Sequence, residues 1–329
     1  GSELGFLNNR INITFDFFWR NNFDLIGPIA TQGVGGQVIR YANTATMKSQ
    51  GQELSVQTTN IKNNNLTWVT NVIFSHVTTE VTSLMSQART IDLVNGEASS
   101  GFTMEGYPHR AIFSMPFQGL TDKGIPTYLN EKGELTSTDL DFQNRNSNGY
   151  LIYEGPTEPT ITGSLGNEIK WKNWRLNVFL TYSFGSYVRL DRIFSAQYND
   201  LTSMTKEFKN RWMQAGDEKT PSVPTILPYR SFASDRNLRI AYNAYNYTSN
   251  RTAKGDFVRM KEISLGYDFP KAMLRSTPFT NLSLKLQATN LFLIYADKKL
   301  NGQDPEFVNA GGVAAPIPRQ FTMTLKFGL

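Results

Sequence analysis

The sequence predicts an all-β protein, an antiparallel transmembrane β-barrel with short periplasmic turns and long extracellular loops. Three observations predict this fold class. Segments alternate strictly between polar and apolar residues, short and long connections take turns along the chain, and tryptophans lie near the ends of the alternating segments. A period of two indicates a strand, because successive side chains leave a pleated backbone on opposite sides.

The clearest alternation lies between Phe257 and Leu329. Polar residues separate the members of three apolar series, which are Ile263, Leu265, Tyr267 and Phe269, then Leu282, Leu284, Leu286 and Ala288, and finally Phe321, Met323, Leu325, Phe327 and Leu329. A long strand with one clean apolar face either covers a soluble core or faces lipid. The rest of the chain decides between these two environments.

Earlier segments supply further strands and the connections between them. The predicted strands are 3–6, 10–20, 53–60, 66–77, 160–171 and 174–185, with one or two weaker strands within 102–129. Short turns are expected at 7–9, 62–65 and 172–173. Long loops are expected at 21–52, from the end of the 66–77 strand to about 100, from the end of the weaker strands at 129 to about 159, and at 186–256. A short helix is predicted near 201–214, within the last of these loops. Short turns at one end and long loops at the other are typical of outer-membrane barrels, and strands of about ten residues suit a tilted span.

Tryptophan placement favours lipid over a soluble core. Trp68, Trp171 and Trp174 lie beside short turns, whereas Trp19 precedes a long loop at the opposite strand end. Indole rings at both ends of strands form the aromatic girdles of membrane barrels, since the ring prefers hydrocarbon and its N–H prefers water. The alternative is a soluble sandwich whose buried tryptophans fall at strand ends by chance.

Composition excludes several function classes. The chain has 329 residues, no cysteine and two histidines, His76 and His109, so disulfides and thiolate metal sites are excluded and histidine chemistry is not indicated. The net charge of +5 is spread along the chain without the basic patch that nucleic-acid binding requires. No apolar run reaches the roughly 18 residues of a membrane helix, which leaves open a barrel, whose strands average out as polar.

No motif for catalysis or cofactor binding is present. No glycine-rich phosphate-binding loop follows a strand and opens a helix, and no carboxylate pair is placed by a motif, so we predict no enzymatic activity and no cofactor. Four residues offer the hard oxygen ligands that calcium prefers, namely Asp139, Asp141, Asn144 and Asn146. Their spacing is not that of an EF-hand and the terminal glutamate is missing, so a solvated turn is favoured over a metal site.

Several short stretches together resemble a known family. They are 172–174 leading to 181–185, 210–212 followed by 216–218, 255–261 with 263–267, 287–292, 304–306 and 316–319. In sequence these read KNW, TYSFG, NRW, GDE, GDFVRMK, ISLGY, QATNLF, DPE and PIPR. In their order and spacing, they resemble the C-terminal part of SusC/RagA-type TonB-dependent outer-membrane transporters of Bacteroidota.

The resemblance implies a location in the outer membrane of a Gram-negative cell and a barrel of 22 strands with an N-terminal plug. It also implies a SusD/RagB-like surface lipoprotein as a cap, energy from TonB, and an oligosaccharide or peptide ligand. Residues 1–329 are expected to be the C-terminal portion of the barrel without the plug domain and without the segment that contacts TonB. About ten strands do not close such a barrel, so we interpret the chain as a partial barrel.

Candidate ligand contacts lie in the outer loops, because the strands are occupied with lipid and lumen. Flat aromatic faces stack on sugars and provide rigid contact area, and the candidates are Trp212, Tyr229, Arg230, Tyr242, Tyr245 and Tyr247. The alternative is that these side chains pack the loop against itself or against the cap lipoprotein. A second set lines the lumen, either along a substrate path or as solvated wall: Asp16, Arg20, Asn71, Glu168, Lys170, Arg175, Glu262 and Lys285.

Two functions of different classes fit these patterns. The first is a transporter segment that helps to form the pore wall and outer loops for TonB-dependent uptake of oligosaccharides or peptides. The second is a secreted all-β carbohydrate-binding or adhesion module that uses its aromatic loops. A passive porin is a third alternative, separable by the plug and TonB segment of the parent chain.

Overall fold

The computed structural model describes residues 1–30, 33, 36, 39–85, 87–99, 101–195, 205–219, 223–308 and 316–329. The strands formed by these residues are β1 (Ser2–Phe6), β2 (Ile11–Ala30), β3 (Ile39–Lys62), β4 (Leu66–Leu84), β5 (Ala111–Ser114), β6 (Phe117–Leu120), β7 (Pro126–Leu129), β8 (Leu135–Thr136), β9 (Ile152–Pro156), β10 (Ile161–Trp171), β11 (Trp174–Phe184), β12 (Tyr187–Arg189), β13 (Thr252–Lys254), β14 (Phe257–Asp268), β15 (Asn281–Ala296) and β16 (Gln320–Gly328).

Helices are short and lie between the strands. They are α1 (Thr90–Ser99), α2 (Tyr229–Ser234), α3 (Arg236–Tyr245) and α4 (Lys271–Leu274), with single 3-10 turns at Lys206–Asn210, Asp217–Lys219, Ser249–Arg251 and Lys298–Leu300. None of the helices in the described ranges is both long enough and apolar enough to cross a membrane.

Nine of the strands form one antiparallel sheet in the order β1-β2-β3-β4-β10-β11-β14-β15-β16. Each strand pairs with the strand before it in this order, so connections alternate between the two ends of the sheet. One end carries the connections 7–10, 63–65, 172–173 and 269–280, and the other carries 31–38, 85–160, 185–256 and 297–319. The predicted asymmetry between a short-turn end and a long-loop end is confirmed for most connections, but 31–38 at the long-loop end is shorter than 269–280 at the short-turn end.

The turn at Leu7–Asn9 shows why these residues reverse the chain so tightly. All three residues have positive φ, between 53° and 60°. Asparagine tolerates this left-handed conformation better than most residues, so Asn8 and Asn9 favour a turn directly before β2.

The strands β2, β3 and β4 are longer than predicted. The expected loop at 21–52 is wrong, because β2 continues to Ala30 and β3 begins at Ile39. A bulge at Asp24, whose φ is 55°, interrupts the register without ending the pairing. A strand of 24 residues spans roughly 80 Å at about 3.3 Å per residue, well beyond the roughly 25 Å of an apolar barrel band. The strict alternation therefore ends before the strands do.

Three other expectations about the long connections need correction. The single connection between β4 and β10 contains α1 near its start and β8 and β9 near its end, none of which the sequence predicts. The helix predicted near 201–214 lies partly outside the described residues, and 206–210 forms only a 3-10 turn. The helices of this connection are instead α2 and α3, where the Asp235 carboxylate caps α3 by accepting the backbone N–H groups of Asn237 and Leu238.

One face of the nine-stranded sheet is apolar from strand to strand. Directly paired residues share a face, and the register places Leu176 opposite Leu265, Leu265 opposite Leu286, and Leu286 opposite Met323. These side chains are open to the surroundings, with 48% of Leu286, 55% of Leu325 and 76% of Phe321 exposed. A soluble core beneath this face would have buried them.

Tryptophans mark both edges of the apolar face. Trp68, Trp171 and Trp174 are exposed at the short-turn end, and Trp19 is exposed toward the long-loop end. The indole N–H of Trp68 donates to the amide oxygen of Asn167 at 3.0 Å. Asn167 lies on the apolar face, and this bond gives its side-chain amide oxygen a donor close to the predicted aromatic girdle.

The buried core lies in the long connections and not under the sheet. Its largest cluster joins α1, β5, β7 and α3 and contains Leu93, Val94, Ala111, Phe113, Met115, Tyr128, Leu140, Leu151, Ala241, Ala244 and Tyr247. We call the described parts of 85–160, 186–256 and 297–308 the loop domain. It is held together by ordinary hydrophobic burial, whereas the sheet exposes its apolar face.

A charged substitution distinguishes the two faces of β15. We expect Leu286→Lys to destabilise the folded protein in phospholipid vesicles by about 2–4 kcal/mol, because the ammonium group would enter hydrocarbon. Gln287→Lys is the matched control, since Gln287, the neighbour of Leu286, faces the polar side and pairs with Ser264 and Thr322. Urea unfolding measures both variants. Equal destabilisation by the two lysines would contradict the assignment of the faces.

Candidate functional site

The polar face of the sheet gathers all eight residues that were predicted to line the lumen. Cross-strand pairs run from Asp16 to Glu53, from Arg175 to Gly266, and from Gly266 to Lys285. Arg20, Asn71, Glu168, Lys170 and Glu262 lie on the same side by their register. These residues belong to strands far apart in sequence, so the fold assembles one hydrophilic wall from them.

Charges of both signs partly neutralise each other on this wall. Glu262 accepts a hydrogen bond from the Asn177 side-chain amide at 3.2 Å and lies 3.9 Å from the Lys285 ammonium. Arg175 pairs with Asp268 at 2.6 Å. A recess of about 250 Å³ opens here, lined among others by Glu168, Arg175, Asn177, Ser264, Lys285 and Lys326. Such a surface holds water and polar solutes and excludes lipid.

A buried ion pair fixes the loop domain to the polar face. Arg259 of β14 is paired with Thr181 of β11, which places the guanidinium on the polar side. Its Nη2 donates to Oδ1 of Asp304, and its Nε lies 2.8 Å from Oε2 of Glu306 as an ion pair without hydrogen-bond geometry. Because a buried charge is stable only when paired, this contact holds the 297–308 segment over the interior side of the sheet.

Two further arginines connect separate parts of the loop domain. Arg251 pairs with Glu207, and Glu207 also accepts the side-chain amide of Asn301 at 3.0 Å. Arg189 is buried and donates to the Ser114 hydroxyl at 3.0 Å and to the Phe113 carbonyl at 2.6 Å. Burial lowers the pKa of Arg189 to about 10, so the guanidinium stays charged at neutral pH and needs these acceptors.

The segment around Trp212 forms a compact loop. The Glu218 carboxylate accepts the backbone N–H of Gly216 at 2.8 Å and the indole N–H of Trp212 at 3.2 Å. Hydrogen bonds from its own backbone N–H, from Gly216 and from Trp212, in that order, lower the pKa of Glu218. The indole lies against Gly124, where an added Cβ would approach a ring carbon to 2.6 Å and where φ is +73°. Trp212 therefore joins two connections by packing.

The six predicted ligand contacts separate into two groups. Tyr242, Tyr245 and Tyr247 are buried, and the ring of Tyr247 packs edge-on against Phe142. Their burial corrects the expectation of open stacking faces and matches the alternative in which the loop packs against itself. Tyr229 and Arg230 are exposed at the start of α2. Ligand binding by Trp212, Tyr229 and Arg230 stays a prediction.

The residues weighed as calcium ligands form turns. Asp141 accepts the backbone N–H of Gln143, and Asn144 accepts that of Asn146, both at 2.9 Å. Within the described ranges, no group of three or more histidine, cysteine or acidic side chains is arranged to hold a metal ion. His109 exchanges a 3.2 Å hydrogen bond with the Thr103 hydroxyl, which is a structural contact.

Comparisons with known proteins agree with this architecture. No family model matches the chain. TonB-dependent receptor P3 of Formosa agariphila is 25% identical over 323 residues, which cover 93% of this chain and 30% of the relative. TonB-dependent receptor SusC of Bacteroides thetaiotaomicron is 25% identical over 346 residues, which cover 100% of this chain and 31% of the relative.

Solved structures show the same fold. The RagAB peptide importer in its closed-closed state aligns with a TM-score of 0.72 at 20% identity, over 99% of this chain and 34% of that chain. A second structure of the RagAB peptide transporter aligns with a TM-score of 0.71 at 19% identity and covers 99% of this chain. This chain spans about a third of the length of the relatives that it matches.

The two-faced sheet, the unequal connections and the aligned structures define the class: the chain has the fold of a transmembrane β-barrel segment. More narrowly, it is related to TonB-dependent receptors, and the resemblance to the SusC/RagA type is confirmed. The motifs that suggested this family meet in the structure, since Arg259 of the 255–261 stretch pairs with Asp304 of the 304–306 stretch. The sequence alone does not reveal this ion pair, because the bulges of β14 hide which side of the sheet Arg259 faces.

Removing the guanidinium of Arg259 should release the 297–308 segment. We expect Arg259→Met to lower the local stability of that segment by about 3–5 kcal/mol, because Asp304 would remain buried without its partner. Hydrogen exchange at the amides of Leu300 and Gln303 measures this loss. Arg175→Met, which breaks a half-exposed pair with Asp268, is the matched control and should change stability by only about 0–1 kcal/mol. Unchanged exchange in Arg259→Met would contradict the anchoring role.

Proposed function

We propose that residues 1–329 form the C-terminal portion of the barrel of a TonB-dependent transporter that imports oligosaccharides or peptides. The observation that carries the proposal is the two-faced sheet, with an exposed apolar side and a polar side over which the loop domain is anchored. The similarity to TonB-dependent receptors supports the same function.

Each part of the fold has a role in this transport. The apolar face of the sheet lies in lipid, and the polar face forms a wall of the water-filled lumen. The loop domain, at the end with the long connections, contacts the ligand before the ligand reaches the wall. Transport then consists of binding, displacement of a plug by energy from TonB, and passage along the wall, without any bond being made or broken. The relatives are receptors and transporters, which supports a non-enzymatic role.

The proposed transporter needs partners that complete it. The backbone groups on the free sides of β1 and β16 require pairing inside a membrane, so we propose that further strands of the same parent protein pair with them. A SusD/RagB-like surface lipoprotein is proposed as the cap over the loop domain. The naming of one structural relative as a peptide transporter supports a peptide ligand, and an oligosaccharide remains the other substrate class.

Energised uptake tests this proposal. Cells that carry the full-length protein receive labelled pools of short peptides and of oligosaccharides, and uptake is compared with that of a deletion strain. We expect uptake of one pool to require the protein and to stop when a protonophore removes the proton gradient. The deletion strain complemented with the intact gene serves as the control.

The contrary results have distinct meanings. Uptake that needs the protein but persists with the protonophore would contradict TonB dependence and indicate a passive porin. Equal uptake of both pools with and without the protein would contradict a transport function. Recovery of the protein from the culture medium as a water-soluble species would favour the alternative of a secreted binding module.

A further inference from the structure

An open recess of about 820 Å³ in the loop domain carries more positive than negative charge. It lies between the 3-10 turn Lys206–Asn210, the Trp212 loop and the start of the 297–308 segment. The charged side chains that line it are Glu207, Lys209, Arg211, Asp217, Arg251 and Lys299. Of the six residues predicted from the sequence to contact a ligand, the described lining of this recess contains the buried Tyr245 and none of the others.

Both carboxylates of the recess are already engaged by the protein. Glu207 pairs with Arg251 and accepts the side-chain amide of Asn301. Asp217 accepts the backbone N–H groups of Met213 and Gln214, each at 3.0 Å. These contacts neutralise Arg251 within the protein and leave the other cations without an acidic partner from the recess.

The remaining cations are held in place by neutral groups. Arg211 donates to the Phe208 carbonyl at 3.3 Å, and its guanidinium lies 5.1 Å from the centre of the Phe208 ring. Lys299 donates to the Thr252 carbonyl at 3.2 Å. Lys209 is exposed at the rim. Among the described residues, none of these three cations forms an ion pair with a carboxylate, so their charge is open to a ligand.

The position of the recess places it beside the proposed path of a ligand. Lys299 belongs to the same 297–308 segment that Arg259 holds over the polar side of the sheet through Asp304. Leu300, directly after Lys299, is buried against Val188, Leu190 and Ala253, which fixes this part of the segment. The recess is therefore bordered, at the long-loop end, by a segment that Arg259 ties to the polar side of the sheet.

The lining favours a peptide over a sugar. Carbohydrate sites use exposed aromatic faces, yet the ring of Tyr245 in this recess is buried. The recess instead offers the flexible side chain of Met213, which is 66% exposed, and the amide side chains of Asn210, Gln214 and Asn250. Methionine adapts to varied apolar side chains, amides suit a peptide backbone, and a guanidinium matches a carboxylate in a forked geometry.

We propose that this recess binds the carboxylate groups of an anionic peptide and selects acidic peptides for import. The proposal rests on the transport function proposed above and adds the charge of the substrate to it. Arg211 provides the directional contact, and Lys209 and Lys299 provide long-range attraction that brings the peptide to the long-loop end.

Direct binding to the purified full-length protein in detergent tests the charge preference. The probes are two fluorescent peptides of equal length with amidated C-termini, Ala-Glu-Glu-Ala and Ala-Gln-Gln-Ala, so that only the glutamates supply carboxylates, and binding is measured by fluorescence anisotropy. We expect the acidic peptide to bind roughly tenfold or more tightly, because charge-assisted hydrogen bonds are about twice as strong as neutral ones. Its affinity should fall as salt is raised, since salt screens the exposed lysines.

Variants assign the preference to the recess. Arg211→Met and the exposed Lys209→Met should each weaken binding of the acidic peptide and leave the neutral peptide unchanged. Lys123→Met, which removes an exposed cation from the turn before Gly124, is the matched control and should change neither. Lys209→Met and the salt titration of the unmodified protein decide the result if Arg211→Met does not fold.

The outcomes separate this proposal from the transport function. Equal binding of the two peptides by the unmodified protein, or equal losses in Lys209→Met and Lys123→Met, would overturn the acidic recess even where uptake still depends on the proton gradient. Tight, recess-dependent binding of a glucuronate oligomer with none of the acidic peptide would overturn the peptide assignment. Binding of the acidic peptide without any energised uptake would support the recess while contradicting the proposed transport.

Discussion

The structure depends on one constraint: inside hydrocarbon, every backbone N–H and C=O group must find its partner within the protein. The uninterrupted antiparallel pairing from β1 to β16 meets this constraint for all strands between the two outermost ones. Once the backbone is paired in this way, side chains alternate between the two faces, and the apolar side becomes continuous across paired residues such as Leu265, Leu286 and Met323. The exposed apolar face and the charged polar face of the sheet therefore both follow from the same strand pairing.

Beyond the apolar band, the chain follows the rules of soluble proteins. The extended ends of β2, β3 and β4 keep their backbone pairing but lose the apolar face, and the loop domain builds a buried core around α1 and α3. Enclosed arginines then join its parts, because each guanidinium provides several donors for carbonyls and carboxylates. Arg259 connects the two regions by tying the loop domain to the lumen wall. The proposed recess lies beside the 297–308 segment, which this connection anchors.

The sequence predicts the membrane part of the fold well and the outer part poorly. Lipid selects one face of β10, β11 and β16 so strictly that their alternation shows these strands to within about one residue, whereas the alternating series of β14 and β15 cover only part of each strand. Water on both sides of the 21–52 hairpin removes this selection, so its strands look like a polar loop. The role of a loop tyrosine is also not readable from the sequence, since a ring that binds a ligand and a ring that packs a loop have similar neighbouring residues. The contacts of Arg259 and Glu207 join distant segments, and one sequence does not reveal such pairs.

The fold requires that the apolar side of the sheet faces lipid and that the polar side faces water. Residues 1–329 contain no cysteine. Single cysteines placed in turn from Phe321 to Lys326 can each carry a nitroxide spin label in the full-length protein in lipid vesicles, once any cysteine outside this sequence is replaced by serine. We expect apolar-side positions such as Phe321, Met323 and Leu325 to be accessible to oxygen, and Thr322, Thr324 and Lys326 to be accessible to a water-soluble nickel complex. Accessibility that does not alternate along β16, or protection of the odd-numbered positions from both reagents, would contradict this orientation of the sheet.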